Sequence, residues 1–340
     1  MSKKVKTKQK FAARLKDEFD FDVSAIGSYV DANSEEIVVA LVTEGKLVSR
    51  IQVMEGVKGS EKIKLLSMDT PLQSAEACGL TPDGDIIFTD KTMTVVPVKI
   101  DMSLCNKTLN GTWAQMLLEL GARAEKENMI LEDVISAFVV KRGRTKNQDL
   151  MFKGDTLSAN PDLVFYDGFL KKWKADGSLF NVDYATKTDV TNAFARFVAL
   201  ANAIPAVLLD NGVVPEIICS RAMANMVLAN IYNDKDYNAI IDVKRDGQEL
   251  SFTLPTTGIV VRSYPQLSDG SGTFLDVTMP DVFVVPYNFM FFGTDLEGDM
   301  DDFWMKYLDL QEKIYFGAEW ASGIQYVYSE YFGRLTATVS

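Results

Sequence analysis

The chain has 340 residues, 47% hydrophobic and 24% charged, with a formal net charge of −12 at pH 7. That balance excludes wholesale disorder, and no run comes close to the roughly 18 uninterrupted apolar residues of a membrane-spanning helix. Histidine is absent, which removes the commonest general base and transition-metal ligand, and with it the usual serine and cysteine triads, HExxH metalloproteases and histidine relays.

A chain of this length usually divides into more than one core, so two packed regions with appendages are expected. Cys78, Cys105 and Cys219 are too few and too scattered for a disulfide framework or a zinc cage, and a reducing compartment with inert thiols is the expectation. The basic start MSKKVKTKQK is followed by FAARLKDEFD, where a signal peptide would need its apolar segment.

Residues 1–16 carry seven basic side chains and no acid; −12 for the chain less the arm's +7 leaves −19 on the body. A basic terminal arm on an acidic body suits contact with something negative. Phe11, Leu15 and Phe19 form one narrow apolar stripe, too small for a core of its own and suited to docking on a neighbour. IVVALV and LVSRIQV, within 36–67, read as strands joined by a Thr43–Lys46 turn, and EKIKLLS continues the pattern after a Gly56/Gly59 loop. CGLTPDGD at 78–85 is turn-rich, with Pro82 and Asp83 at its tip. In the following IIFTDKTMTVVPVKID, Thr92, Thr94 and Val96 alternate with Met93, Val95 and Pro97. A long two-stranded ribbon is a poor core element and reads as an arm lying on a partner.

Trp113, Met116, Leu117 and Leu120 predict a helix ending at Gly121, and Ile130, Leu131, Val134, Ile135 and Phe138 begin a longer one reaching about residue 152. Thr186 and Asp189 read as a capping-box variant ahead of Val190, Phe194, Phe197, Val198 and Ala201. VVPEIICS reads as a buried strand, Ser220 as the cap of a helix carrying Met223, Met226, Val227 and Ile231, and GIVVRSYP and DVFVVPYN as further strands. The aromatic C-terminal segment gives two strand-like runs broken around Gly317–Gly323.

No catalytic constellation stands out. GVKGSEK at 56–62 lacks the GK[ST] end of a P-loop and reads as a loop between strands. Asp295, Glu297, Asp299, Asp301 and Asp302 do not match EF-hand spacing and read as a solvated turn or an acidic patch meeting basic residues of another subunit. Lys141, Arg142, Arg144 and Lys146 form a short basic run, better explained by an acidic neighbour than by nucleic acid. No metal or cofactor is expected.

The sequence resembles the major capsid proteins of tailed bacteriophages, whose fold is shared with encapsulin shells. ACGLTPDGDIIFTDKTMTVVPVKIDMSLCNKTL at 77–109 is similar to the extended-loop region of capsid proteins of the crAss-like and related type. LEDVISAFVVKRGRTKNQDLMFKGDT is similar to the spine helix and its following turn; YDGFLKKW, AIPAVLLD and the stretch from PYNFMFF to SEYFG complete the order. The resemblance implies an α+β fold with an N-terminal arm at 1–35, an extended β-ribbon loop and its root at 36–109, and a long spine helix with part of the peripheral domain at 110–185. An axial domain at 186–290 and a return to the peripheral domain at 291–340 follow.

It implies a structural protein rather than an enzyme: hexamers and pentamers of the chain closing an icosahedral shell around double-stranded DNA held non-specifically, with portal and scaffold or decoration proteins as partners. Assembly would occur in the host cytoplasm, with no membrane involved. Candidate contacts between subunits are Phe11, Leu15, Phe19, Pro82, Asp83, Arg142, Arg144, Asp299, Asp301 and Asp302. An encapsulin-type compartment, a tail or neck component, and a histidine-free carboxylate enzyme using magnesium stay open as alternatives.

Overall fold

Helices gather in the middle of the chain, with strands before and after them, in the computed structural model, which describes residues 37–42, 45–68, 86–105, 131–186, 188, 190–210, 212–233, 242–246, 249–267, 282–295, 302–308 and 313–337. In chain order they are α1 (37–42), β1 (Gln52–Met54), β2 (Ser60–Met68), β3 (Ile86–Thr94), β4 (Val96–Cys105), α2 (Leu131–Lys153), α3 (Phe169–Ala175), β5 (Phe180–Tyr184), α4 (Ala193–Asn202) and α5 (Ala206–Asp210). Then follow β6 (Glu216–Cys219), α6 (Arg221–Asn233), β7 (Lys244–Asp246), β8 (Glu249–Thr253), β9 (Val260–Ser263), β10 (Phe283–Val285), β11 (Met290–Gly293), β12 (Asp302–Leu308), β13 (Lys313–Tyr326) and β14 (Gly333–Ala337). Two compact units result: Met1–Thr43, Pro97–Arg144 and Asp299–Trp320 form one, and Glu44–Val96, Thr145–Gly298 and Ala321–Ser340 the other.

In the first unit, α1 lies against α2 at Gly143, where an added Cβ would stand 2.6 Å from Leu41 Cδ1. Arg144 Nε donates to the carbonyl of Ala40 at 2.8 Å. IVVALV therefore forms helix, not strand: Ile37, Val38, Leu41 and Val42 are buried at helical spacing, and this tertiary seat overrides the strand preference of β-branched residues. β12 and β13 form an antiparallel hairpin from Asp302↔Glu319 to Leu308↔Lys313. The expected break at Gly317–Gly323 is not there, because β13 runs straight through both glycines. A Cβ on Gly317 would lie 2.8 Å from the carbonyl of Ile100, so the glycine serves close approach rather than chain reversal.

The second unit holds a seven-stranded mixed sheet in the order β5-β14-β10-β6-β9-β8-β7. Phe197 and Leu200 of α4 and Val227 and Ile231 of α6 join Ile217, Phe252, Val261, Val284 and Leu335 in one apolar core. Ser220 caps α6 as expected, its Oγ accepting from Met223 N at 3.3 Å. Thr186 caps nothing. α4 starts later, at Ala193, and the hydroxyls of Thr186 and Thr188 accept from the Arg196 guanidinium at 2.7 and 2.8 Å. LVSRIQV is likewise shorter as strand than expected, a 3-10 turn at Val48–Arg50 followed by the three residues of β1. Trp173, fully buried, stacks on Phe169 at 5.2 Å and touches Phe283 at 5.0 Å and Phe332 at 6.0 Å. Among the described residues no helix is long and apolar enough to cross a membrane.

Candidate assembly surface

β2 and β3 pair antiparallel over nine residues each, from Ser60↔Thr94 to Met68↔Ile86, as a two-stranded sheet of their own. Side chains alternate faces along a strand, so Ile63, Leu65, Lys91 and Met93 share one face and Lys62, Lys64, Leu66, Ile86, Phe88, Asp90 and Thr92 the other. On the first face Ile63, Leu65 and Met93 are buried with Val57, Val95, Ala321 and Val327. That packing is the ribbon's root.

Polar contacts fix the root further. Lys91 Nζ donates to Ser329 Oγ at 2.8 Å and sits 4.6 Å above the centre of the Tyr326 ring. Tyr326 Oη donates to Asp176 Oδ2 at 2.7 Å, Gln325 Nε2 to the carbonyl of Thr92 at 2.7 Å, and Tyr328 Oη to the carbonyl of Leu66 at 3.1 Å. Tyr328 reaches this position from the left-handed region, φ 53°, a conformation costing a non-glycine residue roughly 1–2 kcal/mol. Burial works against ionisation of Asp176, but hydrogen bonds from Ser178, Tyr326 and Ser329 outweigh it and bring its pKa down to about 2. Burial lowers the pKa of Lys91.

Lys172, close by, donates Nζ to the carbonyl of Ile324 at 2.6 Å, and burial lowers its pKa to about 8. Unfolded, the same lysine titrates near 10.5. Between these values the unfolded chain binds more protons, so stability rises with pH through this window. Against Lys172→Met, which does not titrate, the wild type should gain on the order of 2 kcal/mol from pH 8 to 10.5, read from paired thermal or urea melts. A constant difference between the two proteins would remove Lys172 as a desolvated cation.

Towards its far end the ribbon changes character. Lys62 pairs with Asp90 at 2.6 Å on the outer face, but beyond them come Leu66, Ile86 and Phe88, and Ile87 on the other face. Phe88 is 75% exposed, Ile86 55% and Ile87 50%. An isolated two-stranded hairpin is marginal in water, and among the described residues these large apolar side chains are left at least half uncovered. The arrangement supports no chemistry of its own; it offers apolar area, about 1.5–3 kcal/mol for each large side chain that becomes covered.

No protein-family model matches the chain, and no curated protein does. Solved structures do. The capsid of an empty GTA particle superposes with a TM-score of 0.57 at 13% identity, over 87% of this chain and 90% of that one. The procapsid of satellite phage P4 gives 0.54 at 12% identity over 100% and 99%, and Mycobacterium phage Ogopogo 0.52 at 12% over 86% and 92%. The chain has a phage capsid fold.

The α+β capsid fold expected from the resemblance is thus the fold found. Of the ten expected subunit contacts, Phe11, Leu15, Phe19, Pro82, Asp83, Asp299 and Asp301 lie outside the described residues, as do the helix expected at 113–121 and Asp189. Asp302 opens β12, paired in register with Glu319. Arg142 is exposed on α2, whereas Arg144 is half-buried and bonded within the chain to Ala40. Lys146 of the same basic run pairs with Asp162. Sequence reasoning placed the ribbon but passed over its apolar end. The signal was three consecutive apolar residues, Ile86-Ile87-Phe88, where a half-buried strand would alternate.

Proposed function

We propose that this chain is the shell-forming major capsid protein of a tailed phage, assembling into hexamers and pentamers that close an icosahedral head around double-stranded DNA. The observation that carries the reading is the rooted ribbon with an uncovered apolar end on a capsid fold. Such an end is satisfied only by another surface, and in a closed shell every subunit has a neighbour to supply it. The layout follows the resemblance: arm at 1–35, extended loop and root at 36–109, spine helix and peripheral domain at 110–185, axial domain at 186–290, and peripheral return at 291–340.

Exposed Arg142 and the acids Asp299, Asp301 and Asp302 supply opposite charges for pairing across subunits. A body of −19 confines DNA rather than gripping it, and the basic arm is the segment suited to contact DNA or a neighbour. Portal and scaffold or decoration proteins are the other partners; the solved P4 procapsid includes a size-determination protein. The product is a virion component, built in the host cytoplasm.

Negative-stain electron microscopy with analytical ultracentrifugation of the purified chain, alone and with a candidate scaffold, tests this. Closed shells or capsomer rings are expected. A chain that stays small under both conditions overturns the reading and directs attention to a magnesium-dependent enzyme.

A further inference from the structure

The loop between α2 and α3 is held in one shape from end to end. At its base Gly168 N donates to the carbonyl of Gly154 at 2.7 Å, and neither glycine has room for a Cβ beside the backbone of Phe152, Leu150 and Tyr166. Asp155 N donates to Leu163 O at 2.8 Å, and Leu163 N to Asn160 O at 3.0 Å. Asp155 Oδ1 accepts from Leu157 N at 2.9 Å, and Asp167 Oδ1 from the amide and hydroxyl of Thr156 at 3.0 and 2.9 Å. Lys171 Nζ lies 2.7 Å from both Asp155 and Asp167, and Lys146 reaches from α2 to Asp162.

This fixed loop presents Leu157 at 87% exposure, with Ala159, Pro161 and Val164 also exposed. A single exposed leucine on mobile chain would need no explanation. On a loop already ordered, however, its burial costs little further entropy, which is what makes a good anchor.

We propose that this loop is a contact between copies of this chain, with Leu157 seated on the neighbouring subunit. The inference rests on the shell-forming reading above. Charge selects the occupant. Copies of a −12 chain repel one another. Lys171 bridges Asp155 and Asp167 and Lys146 pairs with Asp162, so the loop's three carboxylates face two lysines and keep a net charge of only −1, and two copies can approach here against little like charge. A basic partner would instead call for unmatched carboxylates.

The test incorporates the photo-crosslinker p-benzoylphenylalanine at position 157 of the full chain and compares assembly of Leu157→Asp and Lys171→Met with the wild type by sedimentation. Expected are chain-to-chain adducts from irradiated particles, and a tenfold or greater rise in the protein concentration Leu157→Asp needs for half-assembly. Lys171→Met, which loosens the loop but keeps the leucine, should raise it several-fold. Thermal midpoints of both unassembled variants, unchanged for Leu157→Asp, show that folding is intact. Particles of the chain carrying the crosslinker at position 157 that give adducts only to another protein, or none, overturn this inference and leave the shell reading standing, as does normal assembly of Leu157→Asp. A wild-type chain that forms no large particle, together with no chain-to-chain adduct from the crosslinker-bearing chain, overturns both.

Discussion

Changing Ile86 and Phe88 together to aspartate should leave the subunit folded and abolish shell formation. Both side chains lie on the outer face of the ribbon, mostly exposed, so the folded subunit loses almost no packing. The cost to the strand itself is propensity, about 1 kcal/mol across the whole scale. Assembly loses much more. Two large side chains forfeit about 1.5–3 kcal/mol each of burial, and two carboxylates must be desolvated against whatever apolar surface the ribbon covers. The loss recurs at each ribbon contact in a shell, so even a modest change per site shifts the assembly concentration by orders of magnitude.

Circular dichroism and a thermal melt read the folding side; sedimentation and electron microscopy read the assembly side. Ile86→Thr with Phe88→Thr, polar but strand-compatible and uncharged, should assemble weakly, between wild type and the aspartate pair. Normal shells from the aspartate pair would remove the ribbon from the assembly surface. A collapse of the melting temperature would show that its end packs within the subunit.

The elements legible in the sequence were those whose pattern is local. The run from Ile130 gave α2 as a helix, although Phe138, expected on its apolar face, is exposed while Val139 and Val140 are buried; the period-2 run after Ile86 gave β3, and VVPEIICS with Ser220 gave β6 and the α6 cap. Distant partners decided the rest. Ile37–Val42 is helix because of Gly143, a hundred residues on, which no local propensity reports. The ribbon alternation slips at Val95, which belongs to no strand: Met93 and Val95 share a buried side as the alternation requires, but Pro97, assigned to that side, is exposed and Val98 is buried instead. The phase read through from Thr92 therefore fails in β4. The root cluster was invisible for the same reason. Lys91, Asp176, Tyr326 and Ser329 come from segments far apart in the chain, and none carries a motif.

The glycines of the C-terminal strands lead to the second large effect. Gly293 and Gly323 are directly paired between β11 and β13, and the end of the ribbon crosses over both. A Cβ on Gly293 would meet only side-chain atoms, the flexible end of Met93 with Cε at 2.5 Å and Sδ at 2.9 Å and Val95 Cγ2 at 3.0 Å, which yield more readily than backbone. A Cβ on Gly323 would run into the carbonyl group of Thr94 and lie 3.0 Å from Val95 Cα, and backbone cannot step aside without dragging β3 from its seat. Gly293→Ala should therefore cost about 1 kcal/mol or less and Gly323→Ala about 2–3 kcal/mol, measured by urea unfolding. Hydrogen exchange should separate them as well: amides of residues 86–94 should lose protection in Gly323→Ala and keep it in Gly293→Ala. Because the seat sets where the ribbon's apolar end is held, Gly323→Ala should also assemble poorly under conditions where its subunit is still folded. Equal costs for the two substitutions, or a Gly323→Ala protein with full protection over 86–94, would mean that the glycine pair does not hold the ribbon in place.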